Sequence, residues 1–150
     1  MSDEIDPFYW LEEIERRMAR MVMEGQVVEV DHAKQMAKVR FAFGEDNAQT
    51  SWIPFNGTAA GEARQHFPLT VGEWVTMAAP GGAIENARII GRGWTNQNPS
   101  PVTDGSQVAT TFGSTAVRQH RDKVHVVVGG TTFEVKADGA YVNGKKVLTA

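Results

Sequence analysis

Between Phe8 and Val22, large apolar residues recur at spacings of three and four, as Phe8, Leu11, Ile14, Met18, Met21 and Val22. That period puts them on one stripe of a helix. Asp6 is a good N-cap, and Pro7 follows where a missing N–H costs nothing. Glu12, Glu13 and Glu15 lie early and Arg16, Arg17 and Arg20 late, an order that suits the helix dipole, and Gly25 is the expected stop. Two partners fit such a stripe: the body of its own domain, or another protein in an assembly.

From Gly25 the period falls to two. Gln26–Asp31, Met36–Phe43, Ser51–Phe55, Glu73–Ala79 and Ala87–Gly93 are rich in β-branched and aromatic residues and read as strands. Asp31–Gln35 is a hairpin connection, Asn56–Gly72 is the longest link, and Pro80-Gly81-Gly82 marks a tight bend before the fifth strand. Five short strands with their longest connection between the third and fourth suit an OB-type barrel. The polar stretch around Asn98-Pro99-Ser100-Pro101 reads as an extended, semi-rigid spacer.

Beyond it the strands change style. Lys123–Val128, Thr131–Lys136, Ala140–Asn143 and Lys145–Thr149 are separated by Gly129-Gly130, Asp138-Gly139 and Asn143-Gly144, which force reversals every few residues. Val124, Val126 and Val128 share one face, as do Phe133 and Val135 on the next strand. A lone sheet of this kind leaves an apolar face wet and both edges open. Three copies wrapped about an axis would bury the face, whereas folding back onto the barrel would complete one larger β domain. The predicted organisation is a helix over 1–24, a barrel over 25–94, a linker over 95–105 and a strand-rich tail over 106–150.

Composition narrows the chemistry. The 150 residues carry a net charge of -3, so the basic excess of a dedicated nucleic-acid binder is missing. Cysteine is absent, which excludes disulfides, thiolate catalysis and Cys-based metal sites. The acidic start, Met1 to Glu4, lacks the basic-then-apolar order of a signal peptide, and no apolar run is long enough for a bilayer; synthesis in a cytoplasm is the expectation. His32, His66, His120 and His125 are scattered, with the last two on opposite faces of a strand register, so no metal or other cofactor is expected. No G-x-S-x-G, H-E-x-x-H or phosphate loop occurs, and the expectation is a non-enzyme. Trp52, Phe55, Phe41, Phe43 and Trp74 could stack bases on an OB surface, but Phe41 and Phe43 share a face and read as core, and basic neighbours are few (Lys38, Arg40).

An ordered set of segments carries a family resemblance. It opens with the helix and Met23-Glu24-Gly25-Gln26-Val27-Val28-Glu29-Val30-Asp31, and continues in Val39-Arg40-Phe41 and Trp52-Ile53-Pro54. Leu69-Thr70-Val71-Gly72-Glu73-Trp74-Val75, Pro80-Gly81-Gly82 and Arg88-Ile89-Ile90-Gly91-Arg92-Gly93-Trp94 follow. The linker from Asn96 and the pair of strands around Gly129-Gly130-Thr131-Thr132-Phe133-Glu134-Val135 complete it. Together they resemble the phage baseplate assembly protein V family, the central spikes of contractile tails and tail-like particles.

The resemblance implies a mainly β homotrimer: an N-terminal helix, an OB-fold collar and a C-terminal triangular β-helix or β-prism. It implies a mechanical role at the tail tip of a virion, driven into the host outer membrane on sheath contraction, with tail hub and baseplate proteins as partners and no nucleic acid. The trimer core would comprise Val124, Val126, Val128, Phe133, Val135, Val142 and Val147, and the hub-docking helix face Phe8, Leu11, Ile14, Met18 and Met21. Longer members end in a His-x-His metal tip. No His-x-His occurs here, so a short spike capped by a separate tip protein is expected. The rival readings are an OB-fold single-strand nucleic-acid binder and a receptor- or glycan-binding β module.

Overall fold

The computed structural model describes residues 6–149, and the acidic start at Met1–Glu4 lies outside them. The chain divides into two compact units, Met1–Asn98 and Pro99–Ala150.

The first unit opens with helix α1, Pro7–Met21. Its N-cap is Asp6, whose carboxylate accepts the Phe8 N–H at 3.0 Å, with Pro7 in the first turn. Strand β1, Val22–Asp31, begins directly after the helix. Gly25 is therefore not the helix stop: β-branched Val22 already takes extended angles, and Gly25 lies inside the strand. A Cβ there would sit on the Arg40 carbonyl and 2.6 Å from Val39 Cγ1, so only glycine lets the neighbouring strand pass this closely. The expected dipole pattern is also only half present. No acidic residue occupies the first turn, Arg20 sits in the last, and Glu13 instead pairs with Arg16 and Arg17.

The remaining strands of this unit are β2 Met36–Phe41, β3 Ile53–Pro54, β4 Ala59–Ala60, β5 Arg64–Gln65, β6 Trp74–Ala78 and β7 Arg88–Gly93. Four of them join β1 in one antiparallel sheet in the order β3-β2-β1-β6-β7. The long β1 serves two partners: residues 22–26 pair with β6 and residues 25–31 with β2. A bulge between Val27 and Glu29 lets the strand bend between them. The sheet curls until its two edges meet, where Phe55 bridges Ile89 and the Asn56 N–H donates to the Ile89 carbonyl at 3.1 Å. The long connection expected over Asn56–Gly72 holds the small hairpin β4–β5 and then delivers Leu69 into the core.

Inside the curl, Val27, Ala37, Val39, Ile53, Leu69, Val75, Met77, Ala79, Ala87 and Ile89 are buried. Phe41 and Phe55 pack partly against them, but Phe43, expected in the core, is 87% exposed because β2 ends at Phe41. Thr50 is buried and polar. Its hydroxyl accepts the Val39 N–H at 3.0 Å while its own N–H donates to the Val39 carbonyl at 2.8 Å, which continues the pairing of β2 beyond the short β3. The Thr70–Glu73 turn is locked by one carboxylate oxygen, which accepts from both the N–H and the hydroxyl of Thr70 at 3.0 Å. Those contacts give the Leu-Thr-Val-Gly-Glu-Trp segment a structural reason. Thr95–Asn98, expected to be extended, is a closed turn in which the Thr95 N–H reaches the Asn98 carbonyl at 3.1 Å.

The second unit is a six-stranded antiparallel meander: β8 Val108–Phe112, β9 Thr115–Gln119, β10 Lys123–Val128, β11 Thr131–Lys136, β12 Gly139–Val142 and β13 Lys145–Thr149. Each strand pairs with the next in sequence. Strands β10 to β13 fall on the runs expected from the sequence, and β8 and β9 are additional to them. At Asn143-Gly144 both residues have positive φ, 47° and 77°, the requirement of the tight turn that their sequence predicts. Among the described residues of this unit, only Gly139 is buried.

Thr50→Val preserves shape but strands the buried Val39 N–H. We expect it to destabilise the first unit by about 1–3 kcal/mol in chemical denaturation of the full chain. A change within roughly 0.5 kcal/mol, the usual spread for neutral surface changes, would refute that role.

Candidate assembly surfaces

Strand register sorts the side chains of the second unit onto two faces. Val124 stands opposite Val135, Val126 opposite Phe133, and Val128 opposite Thr131. Pairs directly across an antiparallel ladder share a face. Following the same rows outward, Val126 meets Val117 on β9, Phe133 meets Val142 on β12, and Val135 meets Ala140, which meets Leu148 on β13. On β8, Val108 pairs with Gln119 and Phe112 with Thr115. The result is one apolar face that runs across all six strands.

That face is wet. Val108, Phe112, Val117, Val124, Val128, Phe133, Val135 and Leu148 are between 43% and 72% exposed, values that belong to a surface rather than a core. Among the described residues, no helix or second sheet of the same unit lies over it. Six of the seven residues expected in a trimer core (Val124, Val126, Val128, Phe133, Val135, Val142) are placed on this face by the register. Val147 is not: the pairing jumps from Lys146 to Leu148, so Val147 is the extra residue of a bulge and has no partner, and Leu148 occupies the row instead.

The other face is charged and internally bonded. Lys123 Nζ lies 3.1 Å and Lys136 Nζ 3.6 Å from Glu134 Oε2. Lys136 also sits over the Tyr141 ring at 4.7 Å, the Tyr141 hydroxyl donates to Asp138 at 2.5 Å, and Lys146 approaches Asp138 at 3.6 Å. The Lys123 hydrogen bond is the main reason that the Glu134 carboxyl is held below the usual glutamate value, with the Lys136 charge adding to it. The Tyr141 hydroxyl likewise lowers Asp138, and Asp138 in turn raises Tyr141. His125 shares this face with Glu134 and Arg118 across the ladder, and its buried Nε2 has no hydrogen-bond partner. No sequence period announced this ladder, because its members come from β10, β11, β12 and the turns beside them. The cross-strand register alone brings them together.

A second apolar surface belongs to the first unit. Helix α1 rests on the turn Pro80–Gly82, where a Cβ on Gly82 would fall 2.7 Å from Arg17 Cα. The Ala79 N–H caps the helix end by donating to the Met21 carbonyl at 2.9 Å. These contacts use the Arg17 side of the helix, and no residue of α1 is buried. The stripe Phe8, Leu11, Ile14, Met18 and Met21 is 44–72% exposed, so of the two readings of its pattern, packing on its own barrel is not the one adopted.

Elsewhere on the barrel, two aromatics lie under cations of the same unit. Trp52 lies under Lys38 Nζ at 4.8 Å, and Phe55 under the Arg92 guanidinium at 5.9 Å while packing on the core. Two shallow grooves, one along Asn56–Thr58 and Ile89–Arg92 and one between Arg20, Met23, Phe41 and Phe43, have neither histidine nor serine in their lining. Among the described residues, no three His, Asp or Glu side chains gather as a metal site, and no helix is long and apolar enough to cross a membrane.

A curled five-stranded sheet seamed between β3 and β7, with a long bent β1, is the architecture of an OB domain. Residues 23–94 match the family described as the Type VI secretion system/phage-baseplate injector OB domain. Among curated proteins the chain is similar to the spike protein of Escherichia phage P2, at 26% identity over 132 residues. That likeness covers 87% of this chain and 61% of the relative's length, and 132 residues are more than helix and barrel contain, so it extends into the tail.

Because the folded-state carboxyl of Glu134 is depressed, its ladder contributes stability above the ordinary glutamate value and loses it as pH falls through the folded value. Thermal unfolding followed from about pH 6 to about pH 3 should therefore show a falling midpoint, with a shallower fall in Glu134→Gln. Parallel curves for the two proteins would remove Glu134 from the ladder's energetics.

Proposed function

We propose that this chain is a structural, non-enzymatic spike subunit in the baseplate of a contractile phage tail or related injection particle. Three copies assemble through the apolar face of the meander to form a triangular β-prism, the OB domains form a collar, and α1 attaches the collar to the hub. The trimer is carried by the virion and driven through the host outer membrane when the sheath contracts; nucleic acid is not its ligand.

The observation that carries this reading is the apolar face. Eight large side chains at 43–72% exposure form one surface on a sheet whose edge strands β8 and β13 have no further neighbour among the described residues. Exposed patches of this extent mark interaction sites. Three-fold wrapping covers an apolar face with copies of itself and leaves the Lys123–Glu134–Lys136 face to water. The match of residues 23–94 to the phage-baseplate injector OB domain family and the likeness to a phage spike protein that reaches into the tail both favour this use. A mechanical role also suits a barrel in which Trp52, Phe55 and Phe41, three of the residues that could have stacked bases, are engaged with its own cations and core.

Native mass measurement tests it directly. We expect a species of three times 16.4 kDa at every ionic strength tried. Val126→Asp puts three like charges into a desolvated axis and should yield protomers, whereas Thr111→Asp, on the opposite face, should leave the trimer intact. A wild-type protomer, or a Val126→Asp trimer, would overturn the proposed interface.

A further inference from the structure

The helix stripe carries more information than its apolarity. Leu11, Ile14, Met18 and Met21 follow one another at steps of three, four and three, the spacing of anchors that a single helix lays into a groove. The two borders of the stripe differ in charge. On one border, the 100° helical step places Glu12 and Glu15, both exposed and, among the described residues, without an ion-pair partner. On the other border lies Arg17, already held by Glu13 at 2.8 Å. Glu13 is lowered from the usual glutamate value chiefly by Arg17 and then by Arg16, so these charges satisfy one another. The stripe is therefore apolar with one acidic rim and one neutralised rim.

Resting on the hub attachment of the proposed function, we infer that α1 docks as an intact helix into an apolar groove of a protein partner whose rim is basic along the Glu12–Glu15 side. The charge pattern selects this occupant over two others. Interfacial helices that bind anionic lipid carry Lys and Arg beside the stripe, whereas here the uncompensated border is acidic. Self-association as a parallel coiled coil with Leu11, Ile14, Met18 and Met21 at its seam sets Glu15 against Trp10, and Arg17 against Val22, of neighbouring copies, with no complementary pair at either flank. A basic-rimmed groove instead takes up both glutamates. The backbone contact between Arg17 and Gly82 holds the helix with this border turned outward, so the docking surface is already ordered in the free chain.

The test uses full-length chain and particles produced without it. Spike-less particles are incubated with wild type, Leu11→Asp/Met18→Asp, or Glu12→Lys/Glu15→Lys, and the copies bound per particle are counted at low and high salt. We expect wild type to incorporate, the Asp pair to lose incorporation, and the Lys pair to bind at least tenfold more weakly at low salt, with the difference shrinking at high salt. All three should keep the native mass of the wild type. Equal incorporation of the Lys pair would refute the basic rim while leaving the spike role standing. Failure of wild type itself to incorporate would remove hub attachment and rim together. Wild-type binding to phosphatidylserine vesicles, or a change of native mass in the Asp pair, would reassign the stripe to lipid or to self-association.

Discussion

A β-sheet with one apolar face has to bury that face, and this chain meets the requirement in two different ways. In the first unit the sheet buries its face against itself. β1 is long enough to pair with two strands in succession, its bulge turns the second half away from the first, and Leu69 enters from a loop to fill the interior. In the second unit six strands follow one another without a helix or a long crossover, so nothing bends the sheet into closure. The side chains from Val108 to Leu148 that would form a core are accordingly solvent-exposed.

Placement of polar groups follows from the same constraint. Where a face closes on itself, the one buried polar side chain among the described residues, Thr50, is bonded through its hydroxyl as well as its backbone. Where the sheet stays open, charge is concentrated on the opposite face and tied into a continuous series from Lys123 through Glu134, Lys136 and Tyr141 to Asp138 and Lys146. Individually such exposed pairs contribute little. Collectively they mark the side of the sheet that is satisfied with water as its neighbour, and the proposed assembly accordingly uses the other side.

Much of this was legible in the sequence because both strand alternation and glycine-containing turns are local signals. The five barrel strands, the reversal at Asn143-Gly144 and the shared face of Val124, Val126 and Val128 all follow from residue order. Other features were not legible, for reasons that can be named. Gly25 looked like a helix stop because glycine serves both as a terminator and as room for a close neighbour, and only the approach of Arg40 decides between them. Phe43 kept the alternation of β2 but lies past its end. β8 and β9 flank Gly113, whose φ of 56° marks a turn, and the β-branched run Val108 to Thr111 could have revealed them. The ladder around Glu134 and the bulge that displaces Val147 depend on cross-strand register, which no single segment specifies.

The burial pattern also orders events during biosynthesis. The barrel's ten buried apolar residues all lie before Met1–Asn98 gives way to the tail, so a folding unit with its own interior leaves the ribosome first. The tail emerges next and begins with Val108-Ala109-Thr110-Thr111-Phe112, a strand free of charge and proline whose outer edge is unpaired. Segments of that composition are hazards while they wait for partners. In the proposed trimer, completion of the tail depends on encounter with other chains and therefore on their concentration, whereas the barrel's folding does not. Under that assembly, production of the protein in quantity, all at once, would shorten the vulnerable interval, and slow or sparse expression would lengthen it.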